Sequence, residues 1–281
     1  MQRLPTFINR SVRRIFPVLL FCFSFQLYGN DYVHFSEDSL LVLFQDLAAA
    51  DTPDVRDEIN SAIIDVFGSA LALPGSFDHP FDSLFSLGKV ISADSLVRII
   101  TWSYSDSPSD HKYFGYIQLR NEDRSDLSLY FLKEEGHSGH ESENSVFCHT
   151  NWYGALYYQV HTVYHDDVTY YTLIGFDFNN LFTNKKMVDI LTFQDGVPRF
   201  GAPVFYLPDG IKSRVEFEYS SRVVMLLRYF PERDMIIYDH LSPSSPRFAG
   251  QYRYYGPDMS YDALRFERGR WVHKSDIDWK Q

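Results

Sequence analysis

By residue type, the side chains best suited to chemistry are Asp239, His240, Asp258 and Asp262, carried by the turn-like segments YDHL and GPDMSYD. Two carboxyl groups held about 5 to 9 Å apart can hydrolyse a glycosidic bond, one as the acid and the other as base or nucleophile. These four are therefore the candidate catalytic set, provided strand order brings both segments to one rim. Asp177, Asn179 and Asn180, with Asn184 just beyond, gather oxygen donors of the kind calcium accepts in one hairpin loop, GFDFNNLFTNKK. The spacing is not that of an EF-hand, and Asn and Asp also close turns by bonding their own backbone. The turn reading is preferred, a calcium ion is the one metal for which these residues are candidates, and no other cofactor is expected.

Other pairings fail on geometry. Cys148 and His149 are adjacent, so in an extended chain they point to opposite faces and do not form a nucleophile–base dyad. His161 and His165 in one strand lie roughly 13 Å apart, too far to share a zinc ion. His137 and His140, with Glu135 and Glu141, sit in the polar run KEEGHSGHESENS and read as solvated loop residues. The chain has no G-x-S-x-G elbow, no H-E-x-x-H and no phosphate-binding glycine loop. Paired tyrosines such as Tyr157-Tyr158, Tyr170-Tyr171 and Tyr254-Tyr255 put one ring on each face of a strand, to pack across strands or to stack on sugars.

The elements that position these residues are mostly strands. A run opening at Ser36, with Leu40, Leu41, Leu43, Phe44 and Leu47 at helical spacing, reads as one helix. Thr52-Pro53 caps a second, with Val55, Ile59, Ile63, Val66, Phe67 and Leu71 on one stripe and a stop at Pro74-Gly75. Together they predict a helical hairpin over about residues 36–73. From Lys89 onward the pattern is strand-like, with runs beginning at Val97, Tyr113, Leu127, Leu156, Val168, Met187, Pro203, Arg214, Val223, Met235, Gln251, Leu264 and Arg270. Asp195-Gly196, Asp209-Gly210 and Arg268-Gly269 supply tight turns between them. In RVEFEYS, Val215, Phe217 and Tyr219 alternate with Arg214, Glu216 and Glu218, which predicts one buried and one wet face. Val223 to Phe230 is apolar on nearly both faces and reads as a strand lying centrally or between two layers. The fold class is mainly β: a large antiparallel meander, closed as a sandwich, barrel or propeller-like array, with the helical hairpin at its start.

The first residues carry Arg3, Arg10, Arg13 and Arg14 without an acid, then the apolar run Ile15 to Tyr28, then Gly29-Asn30-Asp31. That order is the layout of a secretory signal peptide, too short to span a bilayer comfortably, so residues 1–29 are expected to be a leader and 30–281 a single β-rich domain. Phe21 before Cys22 argues against lipidation, which wants a small residue there. Loss of the leader moves the formal charge from −11 to −15 and leaves Cys148 as the one cysteine. So acidic a chain repels phosphate backbones and anionic lipid heads; neither a nucleic acid partner nor stable membrane insertion after leader removal is expected.

The motifs SLVRIITW, WYGALYYQV, LIGFDFNNLFTNKKMVDIL, GAPVF, YDHL and QYRYYGPDMSYDALRFERGRWVH resemble those of an uncharacterised exported protein group typical of Bacteroidota. The similarity runs from Ile91 to Trp279; it implies export and a shared fold, and brings no activity. The sequence supports an exported, non-enzymatic binding or structural module of the cell envelope, with a glycan or an envelope protein as partner. The alternative is a periplasmic hydrolase acting on a glycan.

Overall fold

A computed structural model describes residues 29–278 apart from 74, 108 and 136–141. The leader, Cys22 and the loop residues His137, His140 and Glu141 lie outside the described residues. Two helices open the described chain, α1 (Gly29–Ala49) and α2 (Pro53–Leu71). Pro53 stands at the start of α2, where its missing N–H costs nothing. The first helix begins seven residues earlier than its leucine stripe predicts, so that His34 and Glu37 are helical.

Strands follow in chain order: β1 (Gly88–Ile91), β2 (Val97–Ser107), β3 (Asp110–Arg120) and β4 (Leu127–Lys133) form one sheet in sequence order. A central sheet holds β5 (Phe147–Cys148), β6 (Leu156–His165), β7 (Val168–Asp177), β8 (Thr183–Gln194) and β9 (Val197–Phe200). After β10 (Phe205–Leu207) and β11 (Gly210–Lys212), β12 (Val215–Ser220) returns to pair with the first half of β8. The C-terminal sheet is built by β10 and β11 with β13 (Leu227–Phe230), β14 (Met235–Pro243), β15 (Tyr255–Glu267) and β16 (Arg270–Lys274). Strand pairing is antiparallel except where β10 lies parallel to β16.

The three sheets and the hairpin stack as layers, and the period of two along the strands explains how. In β2, Val97 and Ile99 face the central sheet, while Ile100, Trp102 and Tyr104 face the helices. Trp102 stacks on Phe67 with ring centroids 5.2 Å apart and donates its indole N–H to Asn60 Oδ1 at 2.8 Å, which docks α2. In β7 and β8, Leu173, Met187 and Leu191 join the first sheet's core, and Ile174, Val188 and Ile190 join the core shared with the C-terminal sheet. All six are fully buried. The central strands are thus β7 and β8 and not Val223–Phe230, of which only Leu227–Phe230 is strand; Val224 is 86% exposed.

The charged face of β12 corrects a second expectation. Val215 and Tyr219 are buried as predicted, but Arg214 is fully buried too, and Glu216 and Glu218 are half-buried. Burying arginine is tolerated because partners meet it: Nε donates to Asp189 Oδ2 at 2.8 Å and Nη1 to the Ser142 carbonyl at 2.8 Å. The guanidinium also lies over the rings of Phe147 and Tyr153, at 4.9 and 5.0 Å from their centroids. The helical hairpin packs on the sheet of β1 to β4, not on the sheet carrying β12.

Candidate functional site

The C-terminal candidates are brought together in part. Between the pairs Asp239–Tyr261 and Leu241–Pro257 the register of β14 and β15 shifts, so that His240 alone faces Asp258, Met259 and Ser260, with Met259 at φ 75°. Such a bulge re-aims side chains. His240 Nδ1 lies 2.9 Å from Asp262 Oδ2, its Nε2 lies 4.0 Å from Asp258 Oδ2, and His273 Nε2 lies 3.5 Å from Asp262 Oδ2. Asp239, one residue from His240 on a strand, points the other way; its Oδ2 accepts the Leu226 N–H at 2.6 Å. The quartet is therefore a trio plus one, with His273 as a member that the sequence reading did not include.

Electrostatics decides what this trio can do. Burial alone would raise Asp258, but the Ser242 hydroxyl at 2.6 Å and the Ser260 hydroxyl and N–H outweigh it and hold the carboxyl at about 2. Asp262 is likewise lowered against the pull of burial, by His240, the Asp276 N–H and His273. The bond to Asp262 raises His240. Acid–base hydrolysis needs one carboxyl kept protonated near neutral pH. Here both carboxylates are ionised and a part-exposed imidazole serves them as partner.

In the hairpin loop after β7, Asp177 Oδ1 accepts the Tyr113 hydroxyl at 2.8 Å and the Asn179 N–H at 2.6 Å. Asn180 Oδ1 accepts the N–H groups of Phe182 and Thr183 at 2.9 and 3.1 Å. The Asn179 amide donates to Thr183 Oγ1 and Glu218 Oε1 at 2.7 and 3.2 Å. These bonds close the turn and tie it to Tyr113 and Glu218. The remaining sequence-level pairs stay apart: the Cys148 thiol donates to Asn151 Oδ1 at 3.0 Å while His149 packs on Tyr130. His161 stacks on Tyr229 and His165 pairs with Asp166.

A concave site that sequence reasoning missed lies along β12. A cleft of about 330 Å³ is lined by Glu143, Lys185, Asp209, Lys212, Glu216, Glu218 and Tyr252. It continues past Asn180, Thr183 and Gln251 to Phe182, Arg253 and Tyr254. Its walls are the wet-side residues of β12 and β8, the turn before β11, and a short 3₁₀ turn, Tyr252–Tyr254, where a strand is predicted from Gln251. The charges are mutually clamped. Lys212 Nζ lies 2.9 Å from Glu143 and 2.8 Å from Asp209; Lys185 Nζ lies 3.2 Å from Glu216 Oε2, which also accepts the Tyr153 hydroxyl at 3.1 Å. Ser142 donates to the other oxygen of Glu216. The alternation in RVEFEYS is the signal that could have pointed here, since it names Glu216 and Glu218 as one face; what covers that face comes from residues 142–153 and 252.

A comparison with known proteins finds no matching protein family, no matching curated protein and no matching solved structure.

Proposed function

We propose that this chain is an exported, non-enzymatic binding module of the cell envelope that holds a hydroxyl-rich ligand, a glycan, in the cleft along β12. The observation that carries the reading is the cleft's lining: three carboxylates fixed by two lysines and a fourth, Glu218, held by Asn179 and Thr183, beside the Tyr252 ring. Preset acceptors and donors next to an aromatic face suit a saccharide, whose hydroxyls do both and whose C–H face packs on a ring. The net acidity of the lining and of the chain, −11 overall, disfavours nucleic acid and other polyanions. The hydrolase alternative draws less support, because the carboxyl groups of the C-terminal trio are both held ionised. Export rests on the basic-then-apolar leader and on the resemblance of the Ile91 to Trp279 motifs to the exported Bacteroidota group.

Secreted protein, whose intact mass should lack about 25 to 30 residues, is the sample for a calorimetric screen of soluble glycans. Glu216→Gln and Tyr252→Ala are expected to weaken the best ligand by more than about tenfold, the loss of roughly one good contact of 1.4 kcal/mol. Asp258→Asn, at the C-terminal trio, should leave affinity unchanged. Loss of binding with Asp258→Asn alone would transfer the site to that trio, and glycan turnover by the wild type would favour the hydrolase.

A further inference from the structure

Far along the chain from the cleft, His34, Glu37 and His79 meet where α1 leans over the segment between α2 and β1. One ligand-capable atom from each of the three lies within 4.8 Å of the other two. His34 and Glu37 are three residues apart and so share one face of the helix. His79 Nε2 lies 2.5 Å from Glu37 Oε2, and the His34 and His79 rings meet edge-on with centroids 4.5 Å apart. The second carboxylate oxygen of Glu37 accepts the Ser83 N–H at 2.8 Å and the Ser83 hydroxyl at 2.5 Å.

A histidine–carboxylate hydrogen bond by itself would account for Glu37 and His79, whose side chains are 11% and 4% exposed. It does not account for a second imidazole brought to the same point by the helix. Nor does it account for the effort spent on the loop. Buried Phe81 is held at φ 52°, a conformation rare for a bulky residue, with its ring edge-on to His79 at 4.7 Å and its carbonyl accepting Lys89 Nζ at 2.6 Å. Ser83 pins one oxygen of Glu37 and leaves the other to His79, which is the outer-shell arrangement that orients metal ligands.

We propose that His34, Glu37 and His79 bind a divalent transition-metal ion, zinc foremost, that fastens α1 to the loop preceding β1. Two imidazole nitrogens and one carboxylate oxygen suit zinc, whereas calcium and magnesium want an all-oxygen shell. Zinc bonds of about 2.0 to 2.2 Å in a tetrahedron place ligand atoms about 3.4 Å apart. Side-chain rotation brings the three atoms to that spacing: the His79–Glu37 contact, 2.5 Å, opens by about 1 Å, and His34, already within 4.8 Å of both, closes in by no more than about 1.4 Å. Three protein ligands leave the fourth position to water.

The full-length protein, stripped with a chelator, is titrated with Zn²⁺ by calorimetry and with Co²⁺ under visible absorption. One equivalent of metal per chain, a visible cobalt band of a low-coordinate site and a rise in Tm on adding zinc are the expected results. His34 is exposed, so His34→Ala should keep the wild-type circular dichroism and weaken zinc binding by at least about tenfold, the loss typical of even an outer-shell partner. His34→Gln repeats the test with a residue of similar bulk and good helix propensity. A His137→Ala/His140→Ala variant removes the imidazoles of the polar loop and should bind as the wild type does. No uptake by the wild type, full affinity in both His34 variants, or loss of affinity with the loop variant in their place overturns the proposal.

Discussion

Glu134, at the end of β4, accepts the Tyr113 N–H at 2.7 Å and lies so close to Gly154 that a Cβ there would come 2.9 Å from its Cδ. Burial pushes its carboxyl up to about 7; the Tyr113 N–H works against that shift and the charges of Asp177 and Asp110 add to it. A carboxyl whose folded pKa exceeds its unfolded value takes up a proton on folding. Its contribution to stability is therefore fully present below the unfolded value, 4.5, and is lost as pH rises to about 7. Glu134→Gln cannot ionise, so it should gain on the wild type steadily from pH 5 to 7 and hold that gain above 7. Urea unfolding of both proteins across this range checks it, and a difference that stays flat with pH would mean that Glu134 titrates alike in the folded and unfolded chains. The comparison between the two proteins cancels other groups that titrate with the same trend, such as His240, which is raised by Asp262.

At the scale of the elements, β1 meets the start of β6 backbone to backbone. Gly88 is where this happens: a Cβ would sit 2.5 Å from the Tyr157 carbonyl oxygen and against Thr101 Oγ1, the same hydroxyl that accepts the Tyr157 N–H at 3.1 Å. Neither a carbonyl nor a buried, bonded threonine can withdraw, so Gly88→Ala should destabilise by about 1 to 3 kcal/mol. Gly256→Ala is the control, since its Cβ would find Val223 at an ordinary 3.5 Å, and it should change stability by less than about 0.5 kcal/mol. Equal effects in thermal or urea unfolding would remove the close approach. This contact was not legible in the sequence, where Gly88 is only the residue before a short apolar run. What was legible follows from local chemistry. Asp195-Gly196 and Arg268-Gly269 do take positive φ in two-residue hairpins, and Ile63, Phe67 and Leu71 of the α2 stripe are buried, whereas Val55 at its start is exposed. The alternation in β12 was also readable, but not the fate of its charged face, because Asp189 and Ser142 come from 25 and 72 residues away. His34 was missed because the leucine stripe starts the helix at Ser36, leaving His34 outside it while its partner in H-x-x-E, Glu37, lies within. At the C-terminal site the residue types were legible, whereas the bulge at His240 that selects Asp258 and Asp262 over Asp239 depends on strand register.

Across the whole molecule, the order of layers is helices, first sheet, central sheet, C-terminal sheet, and the central sheet is buried on both faces along residues 171–175 of β7 and 187–191 of β8. A strand buried on both faces should read as a continuous apolar run, and LIGF and MVDILT come close, with Asp189 admitted only because Arg214 answers it. The arrangement also explains why the choice between sandwich, barrel and propeller could not be made from pattern alone. Each hairpin is locally specified, but the pairing of β10 with β16 and of β12 with β8 joins segments far apart in the chain. The stack makes a sharp demand on two neighbours. Leu173 belongs to the core shared with the first sheet and Ile174 to the core shared with the C-terminal sheet, both fully buried. Leu173→Ala and Ile174→Ala should therefore each cost about 2 to 5 kcal/mol, as buried aliphatic truncations do. Because they open cavities in separate cores on opposite faces of β7, the double variant should lose the sum of the two to within about 0.5 kcal/mol. Urea denaturation of the three variants measures all of this. A cost below about 1 kcal/mol for either single change would expose that face of β7 to solvent, and a strongly non-additive double variant would place both side chains in one core, which a stack of three sheets does not permit.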